Sequence, residues 1–138
     1  MIAAHVFSPR MIRLLAIAAL LSACDSADDR PAQWSYVHAA ILQPACTNAG
    51  CHSKLSALAG VDLSDREGAY TILTGHVCGD LPPGSAPRNY VTPGSAEYST
   101  LIHQLRGENR NIMPPDSPLP DVEVEIVARW IDLGAACD

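Results

Sequence analysis

The feature that most constrains this chain is a short run that places two cysteines and a histidine within one loop. It reads Cys46-Thr47-Asn48-Ala49-Gly50-Cys51-His52, a C-x-x-x-x-C-H pattern. Thiol and imidazole groups at this spacing can form a local disulfide or supply half of a zinc site. A third possibility comes from the related C-x-x-C-H sequence, which marks covalent attachment of c-type haem.

Haem attachment would use each of these side chains for a different bond. The thiols of Cys46 and Cys51 would add across the two vinyl groups of one porphyrin. His52, directly after the second thiol, would then be held under the iron as proximal ligand. The spacer is longer than in C-x-x-C-H and must bulge, which the small or turn-tolerant run Asn48-Ala49-Gly50 allows.

The start of the chain has the features of a secretion signal. Two arginines precede a short apolar run at 14–21, and small residues then lead to Cys24. A charged start, a short apolar core and a small-residue cleavage site are typical of a signal peptide. The run is too short for a spanning helix, which needs about 20 apolar residues. We therefore expect 1–23 to be removed after export.

The cysteine at the cleavage site indicates a lipid anchor. Leu21-Ser22-Ala23-Cys24 resembles the lipobox of bacterial lipoproteins, which are cut before the cysteine and acylated on it. The alternative is an ordinary signal peptide that leaves Cys24 free. The resemblance implies lipidation at Cys24, a polar tether over 24–33 and a single domain over 34–138, held at the periplasmic face of a bacterial membrane.

Export places the domain in an oxidising compartment, where disulfides persist. Of the five cysteines, all but Cys24 remain available in the domain. Four cysteines allow two disulfides in three pairings. Alternatively, two of them hold haem and the other two form one bridge, and the count alone does not choose.

Charge and composition narrow the function further. Removing Arg10 and Arg13 from the nine basic residues leaves seven against fifteen acidic residues, a net charge of about −8. Nucleic-acid binders usually carry basic patches, so we expect no nucleic-acid partner. The domain has only six aromatic residues and no Phe, which predicts a thin core unless a buried porphyrin adds apolar mass. The aromatic residues are Trp34, Tyr36, Tyr70, Tyr90, Tyr98 and Trp130.

Apolar periodicity and capping residues predict four short helices and little or no sheet. Pro44 should end the first helix, and His38 on that helix should lie at the surface. A Pro-rich, turn-rich segment should separate the second helix from the third. The expected helices are 36–42 after Ser35, 66–73 after Ser64 or Asp65, 96–105 after Ser95 and 122–133 after Asp121.

In the order of these motifs, the chain resembles a small class I cytochrome c. In particular, it resembles the haem domains of exported bacterial proteins. Those domains begin with an ILxPxCxxxGCH pattern and end with MPP followed by W(I)xxGA. The matching runs here are Ile41-Leu42-Gln43-Pro44-Ala45-Cys46, Gly50-Cys51-His52, Val91-Thr92-Pro93-Gly94-Ser95, Met113-Pro114-Pro115 and Trp130-Ile131-Asp132-Leu133-Gly134-Ala135. The resemblance covers about 34–137.

The resemblance implies an all-α, loop-rich fold around one covalent haem c. Cys46 and Cys51 would bond the haem, His52 would be the proximal iron ligand and Met113 the distal one. Met113 lies in a proline-flanked loop rather than on a helix stripe, which favours a ligand over a core residue. His76 and His103 are the rival distal ligands, and His103 is expected at the surface or at the edge of its helix.

Two further expectations come from the same comparison. The first and fourth helices should cross near Tyr36, Ala40 and Trp130. Cys78 and Cys137 are additional to the minimal cytochrome pattern, and we expect a disulfide between them.

The favoured function is that of a periplasmic, membrane-tethered one-electron carrier with redox protein partners, and not an enzyme. A His/Met pair raises the reduction potential relative to two His ligands and leaves no open coordination site. One alternative is a haem-free interaction lipoprotein stapled by two disulfides. Another is a haem-based sensor in which Met113 dissociates so that a gas can bind.

Overall fold

In the part of the chain that the structure describes, the domain consists of four helices, one short 3-10 helix at Leu58–Gly60 and connecting loops. The structure is a computed structural model and describes residues 29–79, 90–108 and 111–138. Within these ranges it contains no β-strand, so the prediction of an all-α, loop-rich fold is confirmed. The predicted signal peptide, the predicted lipidation site Cys24, the first part of the predicted tether and most of the Pro-rich segment lie outside the described residues.

The first helix, α1, is longer than the sequence predicts. It has an α-helical start at Trp34–Tyr36, a π-helical centre at Val37–Leu42 and an α-helical end at Gln43–Cys46. The predicted cap at Ser35 and stop at Pro44 are therefore wrong. As a result, the helix itself carries Cys46 on its last turn.

The π-helical centre explains how α1 continues through a proline. Pro44 has no backbone N–H, and its ring crowds the carbonyl four residues earlier in a regular α-helix. In α1 the amide of Gln43 instead donates to the carbonyl of His38, five residues back. This wider hydrogen-bond register accommodates the ring, and such π-helical turns are frequent at functional sites.

The second helix, α2, spans Arg66–Thr74 and agrees closely with the prediction. The Asp65 carboxylate accepts a hydrogen bond from the amide of Gly68 at 2.8 Å, which caps the first turn. Gly75 ends the helix with a φ of 78°, a left-handed conformation that glycine adopts without strain.

The third helix, α3, spans Thr100–Arg106 and starts four residues later than predicted. The buried Ser99 is the reason, because its hydroxyl donates to the carbonyl of Ser95 at 2.8 Å and accepts from the amide of Thr92 at 2.9 Å. Such side-chain bonds hold the backbone in turns instead of a helix. Tyr98, which precedes the helix, is 73% exposed.

The fourth helix, α4, spans Asp121–Asp132 and carries much of the core. It contacts α1 and α3, so the predicted contact between the first and the fourth helix is confirmed. Its position on α1 differs, because Trp34 packs on Trp130 whereas Ala40 is exposed. The largest fully buried apolar side chains are Trp34, Val37, Ile41, Leu42, Leu73, Val91, Ile102, Ile126, Val127, Trp130 and Ile131.

A disulfide joins Cys78 to Cys137, with 5.4 Å between the Cα atoms, as predicted. It fastens the segment after α2 to the segment after α4. No helix among the described residues is long and apolar enough to cross a membrane.

Candidate cofactor site

The loop between Cys46 and His52 folds back on itself in spite of its longer spacer. The amide of Cys51 donates to the carbonyl of Asn48 at 2.8 Å, which closes a turn over 48–51. The amide of His52 then donates to the carbonyl of Cys46 at 3.0 Å. The extra residues are thus taken up by the turn, and the backbones of Cys46 and His52 lie side by side.

The imidazole of His52 is held by the backbone. Its Nδ1 lies 3.2 Å from the carbonyl oxygen of Val61. A carbonyl can only accept, so Nδ1 is the donor, and in the neutral imidazole Nε2 then has a free lone pair. Histidines that bind metals are commonly oriented by such a bond on the second ring nitrogen. His52 is therefore prepared to donate Nε2 to a metal.

The loop that follows His52 fixes this arrangement. The amide of Leu58 donates to the carbonyl of Cys51 at 3.0 Å, and the amide of Leu63 donates to the carbonyl of His52 at 2.8 Å. The loop needs left-handed backbone at Ala57 and Ala59, with φ values of 39° and 56°. Alanine disfavours this region, so the surrounding hydrogen bonds must hold it.

Met113 is tied to α3 by its main chain. Its amide donates to the carbonyl of Gln104 at 2.9 Å, and its side chain is half-buried. Met113 lies outside the helices, as the sequence indicates, and the prolines at 114 and 115 follow it directly.

Cys46, His52 and Met113 line one cavity of about 140 Å³. They come from the end of α1, the loop after it and the loop before α4, so the fold brings distant parts of the chain together. The rest of the lining is mostly apolar, and consists of Leu42, Leu58, Ala59, Val61, Leu63, Leu73, Tyr90, Leu101, Gln104 and Leu105.

Cys51 faces a second, more open cavity of about 430 Å³. Pro114 lines this cavity too, whereas Met113 lines the first. The loop between Cys46 and His52 and the loop that contains Met113 and Pro114 therefore each border both cavities. Among the described residues that line the second cavity, Asp116 and Glu123 carry carboxylates and none is basic.

The two candidate attachment cysteines are free thiols and are both partly buried. Burial raises the pKa of the Cys46 thiol to about 11, and the nearby Cys51 adds to the rise. The proton therefore stays on Cys46 at neutral pH. No cluster of three His, Cys, Asp or Glu side chains suited to a metal ion occurs among residues 29–79, 90–108 and 111–138.

The other histidines take different places. The expectation of a surface His38 is wrong: its ring is buried and Nε2 lies 2.9 Å from the carbonyl oxygen of Leu63. His103 is half-exposed and its Nδ1 lies 2.9 Å from a Glu108 carboxylate oxygen, as expected of an edge position. His76 is buried, and its Nε2 has no hydrogen-bond partner among the residues that the structure describes; neither His76 nor His103 lines the first cavity.

Two residues of the site were not identified from the sequence. Val61 contributes only its carbonyl to His52, and a backbone contact leaves no residue-type signal. Gln104 interrupts the apolar stripe of α3 between Leu101 and Leu105, and this irregularity was available in the sequence.

A comparison of the chain with protein-family models, curated proteins and solved structures gives no match.

Proposed function

We propose that this chain is a membrane-tethered monohaem c-type cytochrome that carries single electrons in the periplasm. The observation that carries the proposal is the meeting of Cys46, His52 and Met113 at one apolar cavity, with Nε2 of His52 left available. Imidazole and thioether are suitable axial donors for haem iron. When bound, haem supplies reversible one-electron exchange at its iron.

The donor set fits one covalent haem c. Cys46 and Cys51 offer two unbonded thiols, one at each cavity, for the two thioether links. The smaller cavity alone lies below the roughly 300–1,000 Å³ of ligand sites, so the group would draw on the space of both cavities. His52 would hold the iron on one side and Met113 on the other.

The residues around this set would tune the site. The apolar lining would keep water away from the iron, which affects its potential. The Val61 carbonyl would fix the His52 ring. With an axial residue on each side, no coordination position is left for a substrate, and for this reason we propose a carrier and not an enzyme.

The interaction lipoprotein with two disulfides is less well supported. Of the four cysteines that the structure describes, Cys78 and Cys137 are bonded to each other, whereas Cys46 and Cys51 are free thiols that line different cavities. The sensor alternative shares the haem site and differs only in whether Met113 leaves the iron. The acidic net charge favours basic redox proteins as partners.

The decisive experiment is to export the full chain in a bacterial host that has haem-ligation machinery. We expect a reduced α-band in the absorption spectrum and a haem stain that stays with the chain in denaturing electrophoresis. Replacing both attachment cysteines, Cys46→Ser with Cys51→Ser, should abolish the stain. A colourless wild-type chain, in cells where another c-type cytochrome matures normally, would overturn the proposal.

Variants of the ligands separate the carrier from the sensor. Met113→Ala should keep the covalent haem and lose the Met–iron charge-transfer band of the oxidised protein. His103→Ala is the matched control, because that histidine lies outside the cavity lining. Carbon monoxide should leave the spectrum of the reduced wild type unchanged but shift that of Met113→Ala; a wild type that binds it readily would favour the sensor.

The tether has its own test. We expect wild type in the membrane fraction and Cys24→Ala in the soluble periplasmic fraction. Membrane retention of Cys24→Ala would refute the lipid anchor without affecting the haem proposal.

A further inference from the structure

Two large exposed side chains lie at the C-terminal end of α4. Leu133 directly follows the helix and is 72% exposed, and Tyr98 is 73% exposed. The segment that carries Tyr98 is fastened to the same end of α4, because the amide of Ala96 donates to an Asp132 carboxylate oxygen at 2.7 Å. Single exposed apolar side chains are common, so it is the position of this pair that carries information.

The predicted tether joins the domain at the same end. Nη2 of Arg129 donates to the carbonyl of Arg30 at 2.6 Å, which fixes the chain to α4 before α1 begins. Leu133 lies one turn after Arg129, and its amide donates to the Arg129 carbonyl at 3.0 Å. Residues four positions apart share a helix face, so the point where the tether joins and the exposed leucine are neighbours.

The tether is shorter than the domain is wide. Six residue steps separate Arg30 from the predicted lipidation site Cys24. Fully extended, they span about 20 Å. A domain of about 105 residues has a radius of gyration of about 13 Å, which makes it about 30 Å across. An acyl anchor at Cys24 therefore keeps the end that carries Arg30 closer to the bilayer than the opposite end.

Charge gives this end no net attraction to anionic headgroups. Its two arginines are outnumbered by three carboxylates, and the five residues are Arg30, Arg129, Glu97, Asp132 and Asp138. Contact through apolar surface is therefore what this end offers a bilayer. Tyrosine is enriched at membrane–water interfaces because its ring is apolar and its hydroxyl is polar, and leucine inserts favourably into the apolar side of the interface.

We propose that the end of the domain formed by Arg30, Tyr98 and Leu133, the docking end, lies on the lipid surface of the membrane that holds the anchor. This inference rests on the lipid anchor of the proposed function and adds an orientation to it. The two exposed side chains enter the headgroup region and lose contact with water there. So small a surface is sufficient because the anchor holds it at a high effective concentration beside the bilayer.

Docking in this way turns the candidate cofactor site away from the membrane. At the docking end, Trp34 at the start of α1 packs on Trp130 near the end of α4. At the other end, Pro44 of α1 and Glu123 of α4 line the second cavity together. The two helices thus connect the docking end to the cavities, and the 12 residues of α4 cover about 18 Å. The cavities then face redox proteins in the periplasm.

The test uses the full acylated chain, loaded with haem, in vesicles of phosphatidylethanolamine and phosphatidylglycerol without other proteins. Gln33→Cys places a thiol for a fluorophore just before α1, and Leu55→Cys places one on the loop after His52; both positions are exposed. The native cysteines are acylated, bonded to haem or paired in the disulfide, so the introduced thiol takes the label. Quenching is the loss of emission when the vesicles contain a nitroxide-labelled lipid, and it should be stronger at position 33 than at position 55.

Removal of the two side chains separates docking from tethering. Tyr98→Ser with Leu133→Ser keeps the anchor, and quenching at position 33 should fall toward the level at position 55. Leu55→Ser, which removes an exposed leucine elsewhere, is the matched control and should leave quenching at position 33 unchanged. Added salt should also leave it unchanged, because apolar contact is not screened.

The outcomes distinguish the proposals. A wild type found in the soluble fraction would overturn the anchor and the docking end together. A membrane-bound wild type without covalent haem would overturn the electron carrier alone, and the labels would then be attached in Cys46→Ser with Cys51→Ser. Equal quenching at position 33 with and without the two serines would show that the tether alone sets the distance, and would overturn the docking end. An unquenched label at position 33 in wild type would assign the two side chains to a protein partner and refute docking on lipid.

Discussion

The indole of Trp34 packs on the indole of Trp130, with ring centroids 5.1 Å apart and ring planes tilted by 31°. One ring comes from the start of α1 and the other from α4. Both are almost completely buried, at 0% and 1% exposure. The pair is extended by Tyr70 of α2, whose ring centroid lies 5.5 Å from that of Trp34. Three helices therefore meet at one aromatic cluster.

This contact predicts that Trp130 is among the most costly positions to truncate. Trp130→Ala should lower the free energy of unfolding by about 3–5 kcal/mol, because it leaves a cavity. Trp130→Phe should cost less, since it retains a ring and mainly loses the 2.9 Å bond from Nε1 to the Ala136 carbonyl. Denaturant unfolding followed by circular dichroism measures both changes.

The control for this prediction is Tyr98→Ala. Tyr98 is 73% exposed, so its truncation should change the unfolding free energy by about 0.5 kcal/mol or less. Equal losses for Tyr98→Ala and Trp130→Ala would contradict the placement of the core at the α1–α4 crossing.

The disulfide is expected to stabilise the domain without contributing to the cofactor site. Cys78 and Cys137 are separated by 59 positions, and neither lines the first or the second cavity. Closing a loop of that length is worth about 4 kcal/mol in the chain-entropy estimate. The double variant Cys78→Ser with Cys137→Ser should lose up to this amount in denaturant unfolding.

The same double variant should still carry covalent haem at a growth temperature low enough for it to fold. Loss of the haem stain with a folded domain would show that these cysteines, and not Cys46 and Cys51, make the attachment.

The helix ends show what the sequence could predict and what it could not. The start and stop of α2 depend on Asp65 and Gly75, whose side-chain and backbone preferences act locally, and the prediction was accurate to one residue. The end of α1 was missed because the π-helical register that accepts Pro44 leaves no local signal. The late start of α3 depends on the buried Ser99 hydroxyl, whose partners are set by the fold.

The residues of the candidate site also fall into those that the sequence predicted correctly and those that it did not. Cys46 and His52 were identified from the C-x-x-x-x-C-H motif and Met113 from the resemblance to class I cytochromes, and the fold brings the three to one cavity. His38 was misplaced because its burial depends on the carbonyl of Leu63, which reaches it only after the loop behind His52 has folded back. The sequence therefore does not reveal the position of side chains whose hydrogen-bond partners are backbone groups from a distant part of the chain.

A contact between the two ends of the domain predicts a dependence of stability on pH. The amide of Ser35 donates to one Asp138 carboxylate oxygen at 2.9 Å and its hydroxyl donates to the other at 2.5 Å. Partial burial alone would raise the pKa of Asp138, but these bonds outweigh it and lower the pKa below its usual value. The ionised form is therefore favoured in the folded domain.

The sign follows from that lowered pKa. The contribution of Asp138 should be fully present above the pKa of an unfolded Asp, about 3.9, and should be lost as the pH falls through the folded value. Asp138→Asn should thus lower the thermal midpoint at pH 7 and differ less from wild type as the pH is reduced toward 3. Asp116→Asn, at an exposed carboxylate, is the control. A constant difference between Asp138→Asn and wild type at all pH values would refute the assignment.

We expect the Cys46 thiol to react slowly with alkylating reagents in the folded chain without haem. Burial first, and the neighbouring Cys51 second, raise its pKa to about 11, and only the thiolate is nucleophilic. The measurement is the alkylation rate by iodoacetamide of Cys51→Ser, exported in a host without haem ligation so that Cys46 is the reporting thiol.

Between pH 7 and 9 we expect Cys46 to react much more slowly in the folded Cys51→Ser chain than in the same chain in urea, where an ordinary cysteine has a pKa of about 8.5. The folded rate should rise at a higher pH than the rate in urea, because burial, the larger of the two causes, still raises the pKa of Cys46 when Cys51 is replaced. Circular dichroism checks that the fold is intact. Cys46→Ser, which retains Cys51, reports on the other thiol under the same conditions. Equal folded and unfolded rates for Cys46 at pH 8 would mean that the thiol is open to solvent. In that case haem could be attached to Cys46 in the folded domain. A slow folded rate would instead predict that haem is attached before the domain closes around Cys46.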